Sequence, residues 1–121
     1  SLHKKWHLIG LELGMSVASV GLRAEPTGAA ICFNADVPAI AKTDLKAGSV
    51  LDGEGGFTIY GGVRPAWLSV AKNYLPLGLA NNVKLIRPVK RDQPIKYDDV
   101  QLETNSSAYM MRKKTIAMLG S

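Results

Sequence analysis

The chain has 121 residues, with fifteen Lys and Arg against ten Asp and Glu, a net charge of +5 and 46% hydrophobic residues. That length holds one domain with short extensions and excludes a complete two-domain dehydrogenase, while a charged fraction of 21% is ordinary for a folded protein and excludes wholesale disorder. The pI of about 9.5 invites a nucleic-acid reading, but the charge sits at the ends: Lys4 and Lys5, then Arg112, Lys113 and Lys114, flank a stretch in which ten basic and ten acidic residues cancel. The expectation is a neutral body with two basic tails, and neither nucleic acid nor membrane as a partner. No apolar run approaches the roughly 18 residues of a membrane span. Lys4 and Lys5 lead to Gly10 and Glu12 rather than to a clean apolar signal region. The single Cys32 forms no intrachain disulfide and fits a reducing, cytoplasmic setting. Its place in the apolar run Ala29-Ala30-Ile31-Cys32-Phe33 predicts a buried, inert thiol. The chain starts at Ser1 and enters a dense apolar pattern (Trp6, Leu8, Ile9, Leu11, Leu13) at once, as expected for a piece of a longer polypeptide.

In chain order, Leu11, Met15, Ala18 and Leu22 follow helical spacing and predict a helix over 10–23. Leu8, Val17 and Val20 make it apolar on most sides, which predicts a buried helix that needs a partner. Residues 29–42 read as β-rich, with Pro38 marking an edge or a bulge. Ala47-Gly48 is a turn signal, and Asp52-Gly53-Glu54-Gly55-Gly56 is a glycine-rich loop leading into a strand at Phe57-Thr58-Ile59-Tyr60. Pro65 opens a helix to Leu75 with Trp67, Ala71, Tyr74 and Leu75 on its core face. Val83-Lys84-Leu85-Ile86 and a segment within 95–102 read as strands. Ser106 or Ser107 caps a final helix through Leu119, with Ala108, Met111, Thr115 and Met118 inward and Arg112, Lys113 and Lys114 away. Residues 45–51 echo residues 89–95: an apolar residue, Lys, a two-residue turn, then an apolar residue. The echo predicts two similar turn-and-strand units facing each other.

The motifs for common chemistries are incomplete. The 52–56 loop lacks the Gly-Lys-Ser/Thr and following helix of a P-loop and the strand and helix of a dinucleotide fingerprint. Asp52 and Glu54 would repel phosphate, which leaves a structural turn or an acidic site for a hydroxyl ligand or a cation. His3 and His7 have i, i+4 spacing without a third ligand, so no metal site is expected. No Ser stands in Gly-x-Ser-x-Gly, and no catalytic residue is assigned.

Two stretches carry a resemblance. Ala41-Lys42-Thr43-Asp44-Leu45-Lys46-Ala47-Gly48-Ser49-Val50-Leu51 resembles the first signature of SAF domains. Leu75-Pro76-Leu77-Gly78-Leu79-Ala80, with Val83-Lys84-Leu85 and Pro94-Ile95-Lys96-Tyr97-Asp98-Asp99-Val100, resembles the second half. Asp92-Gln93 stands where many SAF domains carry Gly-Glu. Within that group, His7-Leu8-Ile9-Gly10-Leu11-Glu12-Leu13-Gly14, Glu25-Pro26-Thr27-Gly28, Asp52-Gly53-Glu54-Gly55-Gly56 and Leu75-Pro76-Leu77-Gly78 are similar to the C-terminal part of homoserine dehydrogenase-like and deoxyxylulose-phosphate reductoisomerase-like NAD(P)-dependent oxidoreductases.

The resemblance implies a mainly β protein with flanking helices, of the β-clip (SAF-like) fold. It implies a connector helix over 1–28 from a missing catalytic domain, a SAF-like domain over 29–104 with an inserted helix near 65–75, and a C-terminal helix over 105–121. It implies an accessory role, shaping the active-site cleft and subunit contacts, with NAD or NADP bound by the parent protein and no cofactor in this chain. Expected partners are the missing nucleotide-binding domain and further copies of the chain. Candidate ligand-binding residues are Glu12, Glu25, Asp52, Glu54, Gly55 and Gly56. Two alternatives stay open: a free-standing sugar or sugar-acid binding SAF module, and a module like those of flagellar or pilus assembly.

Overall fold

A computed structural model describes residues 5–6, 8–28 and 32–117. The expectations that fall on His3, Lys4, His7, Ala29, Ala30, Ile31, Met118 and Leu119 lie outside the described residues. The chain divides into two compact units, Ser1–Ile31 and Cys32–Ser121, so the C-terminal helix belongs to the second unit.

The first unit holds α1 (Ile9–Arg23), in register with the apolar spacing of the sequence. The helix stops at Ala24, whose φ of 53° is left-handed and whose N–H donates to the Val20 carbonyl; Pro26 follows and cannot extend it. Ser19 Oγ donates to the Glu25 carbonyl at 3.0 Å and accepts from Arg23 Nη2 at 2.9 Å. The turn after the helix thus folds back along its polar side. The predicted burial is not found: Leu11, Met15 and Leu22 are exposed and Ser19 is the one buried residue of the helix. Among the described residues, the unit supplies no second helix or strand for the apolar sides to pack on.

The second unit contains β1 (Ala35–Asp36), β2 (Ala39–Ala41), β3 (Val50–Asp52), β4 (Ile59–Gly61), β5 (Arg64–Pro65), α2 (Ala66–Ala71), β6 (Asn81–Leu85), β7 (Val100–Gln101) and α3 (Ser107–Ala117). All pairings are antiparallel: β1 with β5, β2 with β4, and β3-β6-β7 in that order. The fold is therefore mixed, with helices beside small antiparallel sheets, rather than mainly β, and the sheets do not close into a barrel. The apolar runs read as longer strands in the sequence, but Pro38 and Pro94 cannot donate to a ladder. Single bridges replace continuous sheet at Pro38–Pro76, Ile40–Pro94, Leu45–Val89 and Tyr74–Lys96.

The two echoed segments do face each other. Leu45 and Val89 exchange both backbone hydrogen bonds, at 2.8 and 2.9 Å. Gly48 N–H donates to the Leu85 carbonyl, and the matching Asp92 N–H donates to the Ala41 carbonyl. Leu85 N–H returns to Ser49, as Ala41 N–H returns to Gln93. Each turn closes on its own lysine carbonyl, Ser49 N–H to Lys46 and Gln93 N–H to Lys90. The turns also share a backbone requirement, a positive φ at the third position: 89° at Gly48 and 63° at Asp92. Asp at that place thus keeps the turn that glycine makes in the first copy. Around this local two-fold relation lies one apolar core that includes Leu51, Ile59, Leu75, Leu85 and Ile95, each removed from water at a gain of about 1.5–3 kcal/mol.

Two helices differ from expectation. α2 ends at Ala71, and Asn73 turns the chain with a φ of 57°. The buried face is Ala66 and Ser69, while Trp67 is 67% exposed. In α3, Ser106 is the cap: its Oγ accepts from Tyr109 N–H at 3.3 Å. Arg112, expected to point away, turns inward with a side chain 11% exposed, whereas Met111 is exposed. Cys32 is also exposed rather than buried, ahead of β1, with its Sγ accepting from Asn34 Nδ2. Among the described residues no helix is long and apolar enough to cross a membrane.

Candidate functional site

The glycine loop joins β3 to β4 and is built around Asp52, the last residue of β3. The Asp52 carboxylate accepts the backbone N–H groups of Phe57 and Thr58 and the Thr58 hydroxyl. Asp52 N–H donates back to Thr58 Oγ1 at 3.1 Å. The Thr58 hydroxyl first, then the Phe57 N–H, hold the Asp52 carboxyl below its ordinary pKa. Lys42 Nζ donates to the Gly56 carbonyl, which ties the loop to the end of β2. The glycines are needed where the chain bends: Gly53 and Gly55 have φ of 76° and 77°, and a Cβ at Gly56 would stand 2.2 Å from Asp52 Cγ.

Glu54, at the exposed tip, overlooks a cleft of about 420 Å³ floored by Val37, Pro76 and Leu77. Asp52, Glu54, Gly55 and Gly56 are thus one local structure, with Asp52 as its organiser and Glu54 as the outward carboxylate. Glu12 and Glu25 belong to the other unit. Glu12 lies in the first turn of α1, and Glu25 contributes its backbone carbonyl to Ser19.

A dinucleotide does not fit this loop. A pyrophosphate site needs free backbone N–H groups at the start of a helix. Here the loop runs into β4, and the N–H groups of Phe57 and Thr58 are already bound to a carboxylate. Among the described residues no three His, Cys, Asp or Glu side chains gather as metal ligands.

One polar cluster escaped the sequence reading. Asp36 on β1 is 5% exposed. Its carboxylate accepts both Arg112 Nη groups, at 2.9 and 2.6 Å, and the Ser69 hydroxyl from α2. The Arg112 guanidinium lies 4.9 Å from the Phe33 ring centroid. Tyr97 packs edge-on against Tyr109, with centroids 6.2 Å apart. Burial raises the Tyr97 phenol above its ordinary pKa, although the nearby Arg112 charge pulls the other way. Asp36, Ser69 and Arg112 come from β1, α2 and α3, so no local spacing announces them. The cluster pairs both Arg112 Nη groups but leaves the buried Arg112 Nε without a partner among the described residues, and it serves to fasten α3 to the body.

Compared with protein-family models and with curated proteins, the chain matches none.

Proposed function

We propose that this chain is the accessory, SAF-type β-clip part of an NAD(P)-dependent oxidoreductase, shaping the active-site cleft and subunit contacts of a parent that carries the hydride chemistry elsewhere. The observation behind this reading is the reciprocal pairing of the two turn units through Leu45 and Val89, which joins the two halves of the SAF-like sequence pattern face to face. The apolar sides of α1, left exposed by its own unit, suit a segment that packs against a catalytic domain or a further copy. The loop that resembles the oxidoreductases is locked by Asp52 and turns Glu54 outward. It is a wall element, since it runs into a strand rather than a helix and the N–H groups of Gly56, Phe57 and Thr58 are already bonded within the loop. The chain's own residues supply shape, a carboxylate at the wall and a packing surface. The reading is tested by the coding sequence upstream of Ser1. A strand-Gly-x-Gly-x-x-Gly-helix unit is expected there, and its absence overturns the assignment.

A further inference from the structure

A second cavity, of about 550 Å³, opens between the 3-10 turn Leu77–Leu79, β6, β7 and the start of α3. Its wall is shaped by an irregularity in β6. Leu51 pairs with Val83 and Asp52 with Asn81, so Asn82 has no opposite residue. Asn82 takes a φ of 55°, a conformation that Asn tolerates better than most residues. This is a β-bulge. In a regular strand Asn81 and Asn82 would point to opposite faces; with the bulge, both line the same cavity.

Gln101 on β7 adds a third amide and Glu103 a carboxylate. Ser106 also lines the space, but its hydroxyl is committed to the cap of α3 and to the Glu103 carbonyl. Leu79, Val83 and Leu102 supply an apolar base.

We propose that this cavity is a binding site for a small, uncharged, hydroxyl-rich molecule of the monosaccharide or polyol class. Each primary amide offers donors and an acceptor on one planar group, so Asn82 and Gln101 can meet vicinal hydroxyls in either polarity, with Asn81, whose side chain lies against Gly53, beside them. Among the described residues the lining carries no Lys, Arg or His and one carboxylate, which disfavours phosphates and sugar acids. Those described residues include no aromatic ring either, which gives a flat aromatic ligand nothing among them to stack on. The volume lies within the range of small-molecule sites. The site stands whether or not the parent is an oxidoreductase, because its lining residues lie outside the 52–56 loop, which it meets only where Asn81 packs against Gly53.

The test is a titration of the ¹⁵N-labelled chain with methyl β-glucoside, followed by amide NMR, with inorganic phosphate in parallel. The glycoside is expected to shift resonances of residues 78–83 and 101–106, including the side-chain amides of Asn81, Asn82 and Gln101, and phosphate is not. Asn82→Gly keeps the positive φ and removes the amide, and should weaken binding about tenfold. Gln101→Ala, at an exposed position, should do likewise and serves if the first variant fails to fold. Absence of glycoside shifts at these residues would overturn the proposal. So would stronger shifts with phosphate, or an affinity unchanged by either folded variant.

Discussion

Arg112 on α3 and Asp36 on β1 form a buried two-pronged ion pair, with Nη1 2.9 Å from Oδ1 and Nη2 2.6 Å from Oδ2. No residue of α3 is itself fully buried, so this pair is the main polar fastening of the helix. Removing one partner strands the other charge in a site that is 6% exposed at Asp36. Arg112→Met should therefore cost about 3–5 kcal/mol, read from urea unfolding, with faster amide exchange across 107–117. Arg112→Lys should restore little, because an ammonium cannot make the paired contact. Equal exchange in wild type and Arg112→Met would show that α3 is held by something else.

The Asp52 loop makes a steric prediction. Gly56→Ala places a methyl within van der Waals overlap of the Asp52 carboxylate and should cost about 1–3 kcal/mol. Gly28→Ala, with open space around it, should leave the melting temperature nearly unchanged. Similar melting temperatures for Gly56→Ala and wild type would mean that the carboxylate does not hold the loop as described.

Acid should weaken the fold through two carboxylates. Asp44 accepts the Arg91 N–H and pairs with Lys90, and Asp52 accepts the Thr58 hydroxyl and the Phe57 N–H; both folded-state pKa values lie below the ordinary 3.8. A carboxylate depressed in this way contributes its full stability above the unfolded value and loses it as pH falls through the folded one. The melting temperature should be level from neutral to mildly acidic pH and fall below about pH 4. Asp44→Asn and Asp52→Asn should each make the acid limb shallower. An acid limb as steep in both variants as in wild type would contradict the assignment.

The local two-fold relation predicts a stabilising change. Asp92 holds the turn that Gly48 holds in the first copy, at a φ of 63°. Its side-chain contacts are exposed and long, 3.4 Å to the Tyr60 hydroxyl and 3.5 Å to Arg91. Asp92→Gly relieves the left-handed strain of an L side chain and should raise stability by about 0.5–1 kcal/mol, measured by urea unfolding. A loss of stability would mean that the carboxylate contacts outweigh the backbone strain.

The elements that local chemistry specifies were legible in the sequence. The α1 spacing, the Ser106 cap and each of the turns around Gly48 and Asp92 depend on residues within a few positions of one another. What was not legible depends on distant partners. Arg112 looks like a solvated tail charge until Asp36, 76 positions away, is placed beneath it. Helical spacing from Pro65 to Leu75 places Trp67 on a core face, but the helix breaks at Lys72-Asn73 and the face it buries is Ala66 and Ser69. The inward position of Arg112 also moves one of the five excess positive charges from a tail into the body, where it pairs with Asp36, and leaves the net charge at +5. In the candidate loop, the residue types were visible, but the use of Asp52 as its internal anchor was not.

The most direct test is a nicotinamide titration of two products side by side: residues 1–121, and the full open reading frame that contains them, each followed by the fluorescence of NADH and NADPH. The account predicts binding by the longer product and none by residues 1–121, whose glycine loop leads into a strand and has its Gly56, Phe57 and Thr58 N–H groups already bonded. Nicotinamide binding by residues 1–121, or none by a longer, folded product, would contradict it.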